Sequence, residues 1–302
     1  MIPGLEFHTI TSFDGTEIAY QACGHGPAVV LANGLGGTYA AWRPIMEALG
    51  RGYRIITWDY RGLFRSGPPR GGLDIPSQAR DLEAILAHEK IDRVLLGGWS
   101  MGAHVVLEHH RIAPERTVGL FIVCGIACSP GEGKVPLPVA RAGLAALRSS
   151  ARLWGPLVRA QVASGVLLPW LARLGVVAPT ADPEVIRSVS ADWNKLDFEM
   201  LVANADAVAQ SDARDVLPGM DVPALLIGGD RDFQAPLSMM REMAKALPRA
   251  RLVEVPGGTH YTPIEFPLLV QSEIAQFVSD LGWGQPEFIS PSARFQSTWS
   301  RM

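Results

Sequence analysis

Gly98-Trp99-Ser100-Met101-Gly102 follows the apolar run Arg93 to Gly97 and leads into a helix-like stretch, Ala103 to His110, so the chain reads there as strand, sharp turn, helix. A serine at such a turn is held in a strained backbone conformation that pushes its hydroxyl clear of the sheet. Glycines flank it because side chains would clash with the neighbouring strand and helix. Ser100 is therefore the candidate nucleophile. A pattern this short also fits an ordinary strand-to-helix turn whose serine caps the helix. The preceding strand, together with a base, an acid and a loop found elsewhere in the chain, argues against that simpler alternative.

The rest of the chain supplies a frame for such a turn. Two alternating, β-rich segments, Glu6 to Phe13 and Thr16 to Ala22, are joined by Asp14-Gly15, a strong hairpin signal. Short apolar runs follow at Ala28 to Ala32, Arg54 to Trp58, Val94 to Leu96, Leu120 to Cys124, Ala224 to Ile227 and Leu252 to Val255. Interleaved with helical patterns such as Ser77 to Lys90, they predict strands buried on both faces. The expected architecture is a doubly wound α/β fold: a mostly parallel sheet of eight strands, counting the antiparallel edge hairpin, flanked by helices. From about Ser129 to Asp221 no buried strand is legible, and that interval reads as a helical cap inserted after the sixth strand. The chain thus divides into a core over 1–128, a cap over 129–221, a second core portion over 222–281 and an irregular tail over 282–302.

Composition narrows the function. The 302 residues are 48% hydrophobic and 19% charged, enough for one large core with an inserted subdomain. A net charge of −3 gives no general attraction to nucleic acid, and no nucleic-acid-binding signature is present. The N-terminus lacks the basic start and apolar core of a secretory signal, and no uninterrupted apolar stretch could span a bilayer, so a soluble, cytoplasmic protein is expected. Cys23, Cys124 and Cys128 are too few for a disulfide framework, and no His/Cys spacing suits zinc; free thiols, no metal and no cofactor are expected.

The cap is basic. No acidic residue occurs between Glu132 and Asp182, while Arg141, Arg148, Arg152, Arg159 and Arg173 do. At about 100° per residue the first three fall within roughly 40° of one another, opposite Leu147, Leu153 and Trp154, on a helix that Gly155-Pro156 is expected to end. One reading is a solvated face on an amphipathic lid helix; the other is a docking surface for an anionic or carrier-bound acyl substrate, or for a membrane surface.

A serine hydroxyl needs a neighbouring base, which must itself be oriented. After the run Ala224 to Ile227 comes Gly228-Gly-Asp230-Arg-Asp232-Phe-Gln-Ala-Pro236, placing carboxylates at the C-terminal edge of a strand, where open α/β sheets build their sites. The last strand is followed by Pro256-Gly-Gly-Thr-His260, putting a histidine in the next loop. A lone histidine is more often structural, but the position of His260 after a last strand, with Ser100 and an acid loop upstream, favours a catalytic role.

With the order Ser, Asp, His, the chain from Glu6 to Leu281 resembles the α/β-hydrolase superfamily. The family's acid usually lies in Gly-x-x-Asp-x-x-x-Pro, matched by Gly229, Asp232 and Pro236, so the resemblance implies Asp232 in preference to Asp230, which is left to stabilise its loop or to pair with Arg231. The stretch after the sixth strand, Gly125-Ile-Ala-Cys-Ser, offers no carboxylate for the alternative placement seen in some members. The oxyanion hole implied by the resemblance uses the backbone N–H groups of Met101 and of Leu35, in the loop Ala32-Asn-Gly34-Leu-Gly-Gly37, where Asn33 replaces the histidine of many relatives. Asn33 is expected to support that loop by side-chain hydrogen bonds, and Trp58-Asp-Tyr-Arg-Gly62 to Ser66 to stabilise the loop after the fourth strand. His104, His109 and His110 read as helix-face residues, and Cys124 and Cys128 as packing residues.

The resemblance implies a serine hydrolase of carboxylic esters, with Trp99 and Gly34 beside a hydrophobic acyl pocket and a small-molecule ester as substrate. The Trp99-Ser100 elbow also resembles carboxylesterases acting on methyl esters of carrier-bound acyl chains. The same triad serves C–C bond hydrolysis, acyl transfer and perhydrolysis, and the fold also serves slow-turnover ligand receptors. A catalytically silent protein docking through its cap is disfavoured because every triad position is filled.

Overall fold

The computed structural model describes residues 2–129, 136–163 and 177–284. Eight strands form one sheet in the order β1-β2-β4-β3-β5-β6-β7-β8. They are β1 (Glu6–Thr11), β2 (Glu17–Cys23), β3 (Ala28–Ala32), β4 (Arg54–Trp58), β5 (Val94–Trp99), β6 (Thr117–Val123), β7 (Ala224–Gly229) and β8 (Ala250–Val255). The hairpin β1–β2 is antiparallel and joins β4 antiparallel; every pairing from β4 to β8 is parallel. The hairpin turns where Asp14-Gly15 predicts it: Gly15 adopts φ 88°, and the Asp14 carboxylate accepts the Thr16 N–H at 3.0 Å. β3 and β4 coincide with the expected apolar runs, whereas β6 begins three residues early because its pairing with β5 reaches back to Val94–Thr117.

Helices cover both faces. They are α1 (Arg43–Leu49), α2 (Ile75–His88), α3 (Met101–Ile112), α4 (Leu137–Ser149), α5 (Ala151–Ala163), α6 (Pro183–Asp192), α7 (Phe198–Ala209), α8 (Leu237–Ala246), α9 (Thr262–Glu265) and α10 (Pro267–Leu281). Alternate residues of β3 divide the core in two. Val30 and Ala32 pack with Leu82, Ile85 and Val106 of α2 and α3, while Val29 and Leu31 pack with Ile45 and Met46 of α1 and Ile274 of α10. The helix expected from Ser77 starts two residues earlier because Asp74 caps it, accepting the Ser77 N–H at 2.8 Å, with Pro76 in the first turn.

Between β6 and β7 the described residues carry no strand, only helices α4 to α7 and short 3₁₀ turns. Two expectations for this interval change. The helix does not end at Gly155-Pro156; it breaks at Ser150, and Pro156 lies inside α5, so Arg141 and Arg148 sit on α4 and Arg152 on α5. Pro156 is the sixth residue of α5, past its first turn, so its missing N–H leaves the Arg152 carbonyl without the usual helical donor. Nor do these arginines form an unopposed basic surface. Arg141 lies 3.8 Å from Asp206, and Arg148 and Arg152 lie 3.6 and 3.8 Å from Glu199, both acids on α7. The arginine side chains are exposed, Arg152 most of all, and Leu147, Leu153 and Leu157 are exposed beside them. The long gap without acids in the sequence hides this pairing, because the partners lie some fifty residues downstream. Trp170 and Arg173, and the tail beyond residue 284, lie outside the described residues. Just before that point Trp283 is tied to the core: its carbonyl accepts the Tyr53 hydroxyl at 2.9 Å, and its indole donates to the Ala28 carbonyl at 3.2 Å.

The loop after β4, expected to be stabilised by its own residues, is held by Arg61 and Asp81, whose side chains are fully buried. The Arg61 guanidinium donates to both Asp81 oxygens at 2.8 and 2.6 Å, to Asp14 at 2.8 Å and to the Gly72 carbonyl at 2.6 Å. The network holds the loop after β4 against the edge hairpin. Ser66 completes it, donating to the Asp59 carbonyl at 2.6 Å and accepting the Ala19 N–H at 2.9 Å.

Candidate active site

Ser100 occupies the junction of β5 and α3 with φ 55° and ψ −118°, a strained conformation for a residue with a side chain. The neighbouring glycines explain how the chain can turn so tightly. A Cβ at Gly98 would lie 2.6 Å from the Gly102 carbonyl, and one at Gly102 would lie 2.2 Å from the Ala32 carbonyl oxygen. The turn is closed by hydrogen bonds from Ser100 N–H to the Val123 carbonyl at 3.2 Å and from Ala103 N–H to the Ser100 carbonyl at 2.9 Å.

His260 approaches from the loop after β8. Its Nε2 is 2.7 Å from Ser100 Oγ, and its Nδ1 is 2.9 and 3.1 Å from the two oxygens of Asp232. Because an ionised carboxylate only accepts, the ring proton belongs on Nδ1, leaving Nε2 to accept the serine proton. The Asp232 carboxylate is itself fixed: its Oδ1 accepts the N–H groups of Gln234 and Ala235, each at 2.8 Å. Asp230 is the exposed member of the pair, its carboxylate accepting the Gly257 N–H at 2.8 Å. The two loops meet closely enough that a Cβ at Gly229 would lie 2.2 Å from the Gly258 carbonyl.

Two residues hold the histidine loop in place. Trp99 is almost wholly buried and donates its indole N–H to the His260 carbonyl at 2.9 Å. Glu265 is also buried and accepts from the Thr259 N–H at 2.8 Å, the Thr259 hydroxyl at 2.5 Å and the Ala178 N–H at 2.6 Å, tying the loop to the inserted segment. Nothing in the sequence marks Glu265 out, because Ala178, 87 residues away, meets it only in the folded chain. Trp99 was expected beside a substrate pocket; here it faces the interior, and Gly34 lies against it, a Cβ there falling 3.1 Å from the indole ring.

The N–H groups assigned to the oxyanion hole sit in the expected elements. Met101 is the first residue of α3, where no carbonyl four residues earlier lies within the helix, and the helix dipole there favours negative charge. Leu35 lies in the turn closed by Gly37 N–H to the Gly34 carbonyl at 2.9 Å. Asn33 anchors that turn to the end of β4: its side-chain amide donates to the Trp58 carbonyl at 2.8 Å, and its backbone carbonyl accepts the Tyr60 hydroxyl at 2.7 Å.

A cavity of about 30 Å³, room for a water molecule or two, lies over Ser100 between Met101, His104, Ile126, Val208, Gln234 and Ala235. Val208 comes from α7, so the inserted helices form part of its wall. His104, expected as an ordinary helix-face residue, therefore shares the cavity, and burial pushes its imidazole down to about 4. His109 and His110 do not take part: His109 lies 2.6 Å from Glu83, and His110 3.0 Å from Thr117. The three cysteines are buried and none forms a disulfide; burial, then the nearby Asp232 charge, push the Cys124 thiol far up, as suits a packing residue. No described helix is long and apolar enough to cross a membrane.

Known proteins resemble this chain in sequence and fold. The protein named "Putative carbamate hydrolase RutD" from Azorhizobium caulinodans is 28% identical over 81% of this chain and 88% of its own length. A thermophilic esterase from Thermogutta terrifontis superposes with a TM-score of 0.75 at 25% identity, over 91% of this chain and 98% of its own. The enol-lactonase from Burkholderia xenovorans gives 0.74, also at 25% identity, over 90% of this chain and the whole of its own. Residues 29–273 match the model of the alpha/beta hydrolase family, and the chain belongs to that family.

Proposed function

We propose that the protein hydrolyses carboxylic esters of hydrophobic acyl groups through an acyl-enzyme, with Ser100, His260 and Asp232 as the triad. The observation that carries this reading is the continuous hydrogen-bonded line from Ser100 Oγ through the imidazole to Asp232, at 2.7 and 2.9 Å. Ser100 Oγ attacks the acyl carbonyl while its proton passes to His260 Nε2. The tetrahedral oxyanion lies against the Leu35 and Met101 N–H groups. As the intermediate collapses the C–O bond to the alcohol breaks, and His260 returns the proton to that alcohol. Water, activated by the same imidazole, then repeats the cycle and releases the acid.

Helices α4 to α7 act as the cap in this reading. Val208 of α7 lines the cavity over Ser100, so the inserted helices border the site where the acyl group binds in this reading. The apolar neighbours Ile126, Val208 and Ala235 support a hydrophobic acyl group. No carrier-bound substrate is invoked, since Arg141, Arg148 and Arg152 have carboxylates within reach on α7.

The test is hydrolysis of a 4-nitrophenyl ester series of increasing acyl length, with carbamates added because one relative bears that name. Wild-type turnover should peak at one chain length and vanish in Ser100→Ala and His260→Ala. Wild-type rates no faster than those of the variants refute the proposal.

A further inference from the structure

We propose that Trp193 is a positioning residue of the oxyanion hole: its indole N–H, donated to the Gly36 carbonyl, fixes the turn that carries the Leu35 N–H, and so makes helix α6 part of the catalytic frame. The inference rests on the esterase reading and names what holds one of its two oxyanion donors.

The turn needs an outside hold. Three of the four residues from Gly34 to Gly37 are glycine, and Gly36, the third of them in the chain, adopts φ 73°, as the third position of a type II turn requires. A backbone so rich in glycine has many conformations open to it, so the direction of the Leu35 N–H depends on what grips the turn. Asn33 holds its start through the Trp58 carbonyl and the Tyr60 hydroxyl. Trp193 holds its far side, the indole N–H donating to the Gly36 carbonyl at 2.9 Å. The glycines also let two indole rings close on the turn. A Cβ at Gly34 would lie 3.1 Å and one at Gly37 3.3 Å from Trp99, while one at Gly36 would lie 3.2 Å from Trp193. One ring belongs to the nucleophile elbow, the other to the inserted segment.

Trp193 is itself held. It opens the 3₁₀ turn Trp193–Lys195 directly after α6, and its ring meets Phe198 of α7 edge-on at 6.1 Å. The preceding Asp192 lies 3.8 Å from Arg65, whose guanidinium also reaches Asp59, just after β4, at 3.5 Å. At the opposite end of α6 the Asp182 N–H donates to the Ile264 carbonyl at 3.0 Å, and four residues earlier the Ala178 N–H meets Glu265, which holds Thr259 beside His260. Between these ends Val185 is buried in the same core layer as Ala41 and Trp42. Ten residues of helix, about 15 Å, thus run from the histidine loop to the oxyanion turn with an anchor at each end. Such a strut sets the placing of an oxyanion donor against the base, an alignment that matters to the transition state more than to bound substrate.

The test is Trp193→Phe, which keeps a flat ring in place and removes the N–H. With the preferred 4-nitrophenyl ester, kcat and kcat/KM should fall together by about tenfold, less than the roughly 10²–10³ that follows loss of an oxyanion donor itself, with KM and the pH profile unchanged. A trifluoromethyl ketone of matching acyl length supplies the second readout: Ser100 Oγ adds to its carbonyl carbon, the serine proton passes to His260, and the former carbonyl oxygen becomes an oxyanion in the hole. Its Ki should rise by the same factor in Trp193→Phe. Trp193→His, whose ring retains an N–H, should recover part of both effects. A kcat within about twofold of wild type, or a ketone Ki that stays put while KM rises, overturns the role. Ser100→Ala, run alongside, separates the two readings: if it is inactive, such a result removes the role of Trp193 alone, whereas turnover surviving Ser100→Ala removes the esterase reading and the oxyanion hole with it.

Discussion

Asp232→Asn tests the candidate triad through one atom. Asp232 Oδ1 accepts two backbone N–H groups, from Gln234 and Ala235, while Oδ2 makes the closer approach to His260 Nδ1 at 2.9 Å. An asparagine of the same shape has only one way to sit there. Its oxygen must take the Oδ1 place, since an amide NH₂ would face two donors, and its NH₂ group is then directed at Nδ1. That nitrogen must become an acceptor, so the ring proton moves to Nε2 and the imidazole can no longer take the proton of Ser100. In serine hydrolases built this way the wrong tautomer lowers kcat by about 10⁴, or roughly 5 kcal/mol of transition-state stabilisation. The fold should tolerate the change, because the two backbone bonds are kept. The assay is kcat for a 4-nitrophenyl ester beside a thermal melt of each protein. A variant that melts with the wild type yet retains kcat within tenfold refutes the role given to Asp232.

Four further outcomes follow from the same geometry. Gly102→Ala places a Cβ 2.2 Å from the Ala32 carbonyl and should cost about 3 kcal/mol, seen as a fall in Tm of roughly 6–12 °C; a Tm within 2 °C of wild type contradicts the packing at the elbow. Trp99→Phe leaves the His260 carbonyl without its donor and should cost about 1–3 kcal/mol in urea unfolding, with a lower kcat, while unchanged stability and turnover would deny it any hold on the loop. Arg61→Leu strands the buried Asp81 carboxylate and should cost about 3–5 kcal/mol, or prevent folding, against a negligible effect if the network were ornamental. The pH dependence follows from His104, whose folded value of about 4 lies below its ordinary 6.5. A base depressed on folding contributes stability that is present above pH 6.5 and lost as pH falls toward 4, by roughly 3 kcal/mol at about 1.36 kcal/mol per pH unit. His104→Gln should remove that component, so the stability gap between wild type and variant, measured by urea unfolding at pH 7, 5.5 and 4, should shift toward the variant as pH falls; a constant gap refutes the assignment.

The frame of the fold was legible because it is written in local chemistry. Runs apolar on both faces mark β3 and β4 to the residue, Asp14-Gly15 marks the hairpin, and Gly98 and Gly102 mark a turn that only small residues can make. The candidate triad was legible for the same reason, since Ser100, Asp232 and His260 each follow a strand at the same edge of a parallel sheet. What the sequence could not decide depends on distances between residues far apart in the chain. The arginines of α4 and α5 left two readings open, a solvated face or a docking surface, and only the packing of α7 shows Asp206 and Glu199 beside them. Trp99 read as a pocket residue until its indole found the His260 carbonyl 161 residues away. His104 read as one more helix-face histidine, and lines the cavity because Val208 of α7, with Ser211 just past that helix, packs beside it. Local propensity and strand order follow from near neighbours, whereas pairing and burial follow from contacts that exist only once the chain has packed.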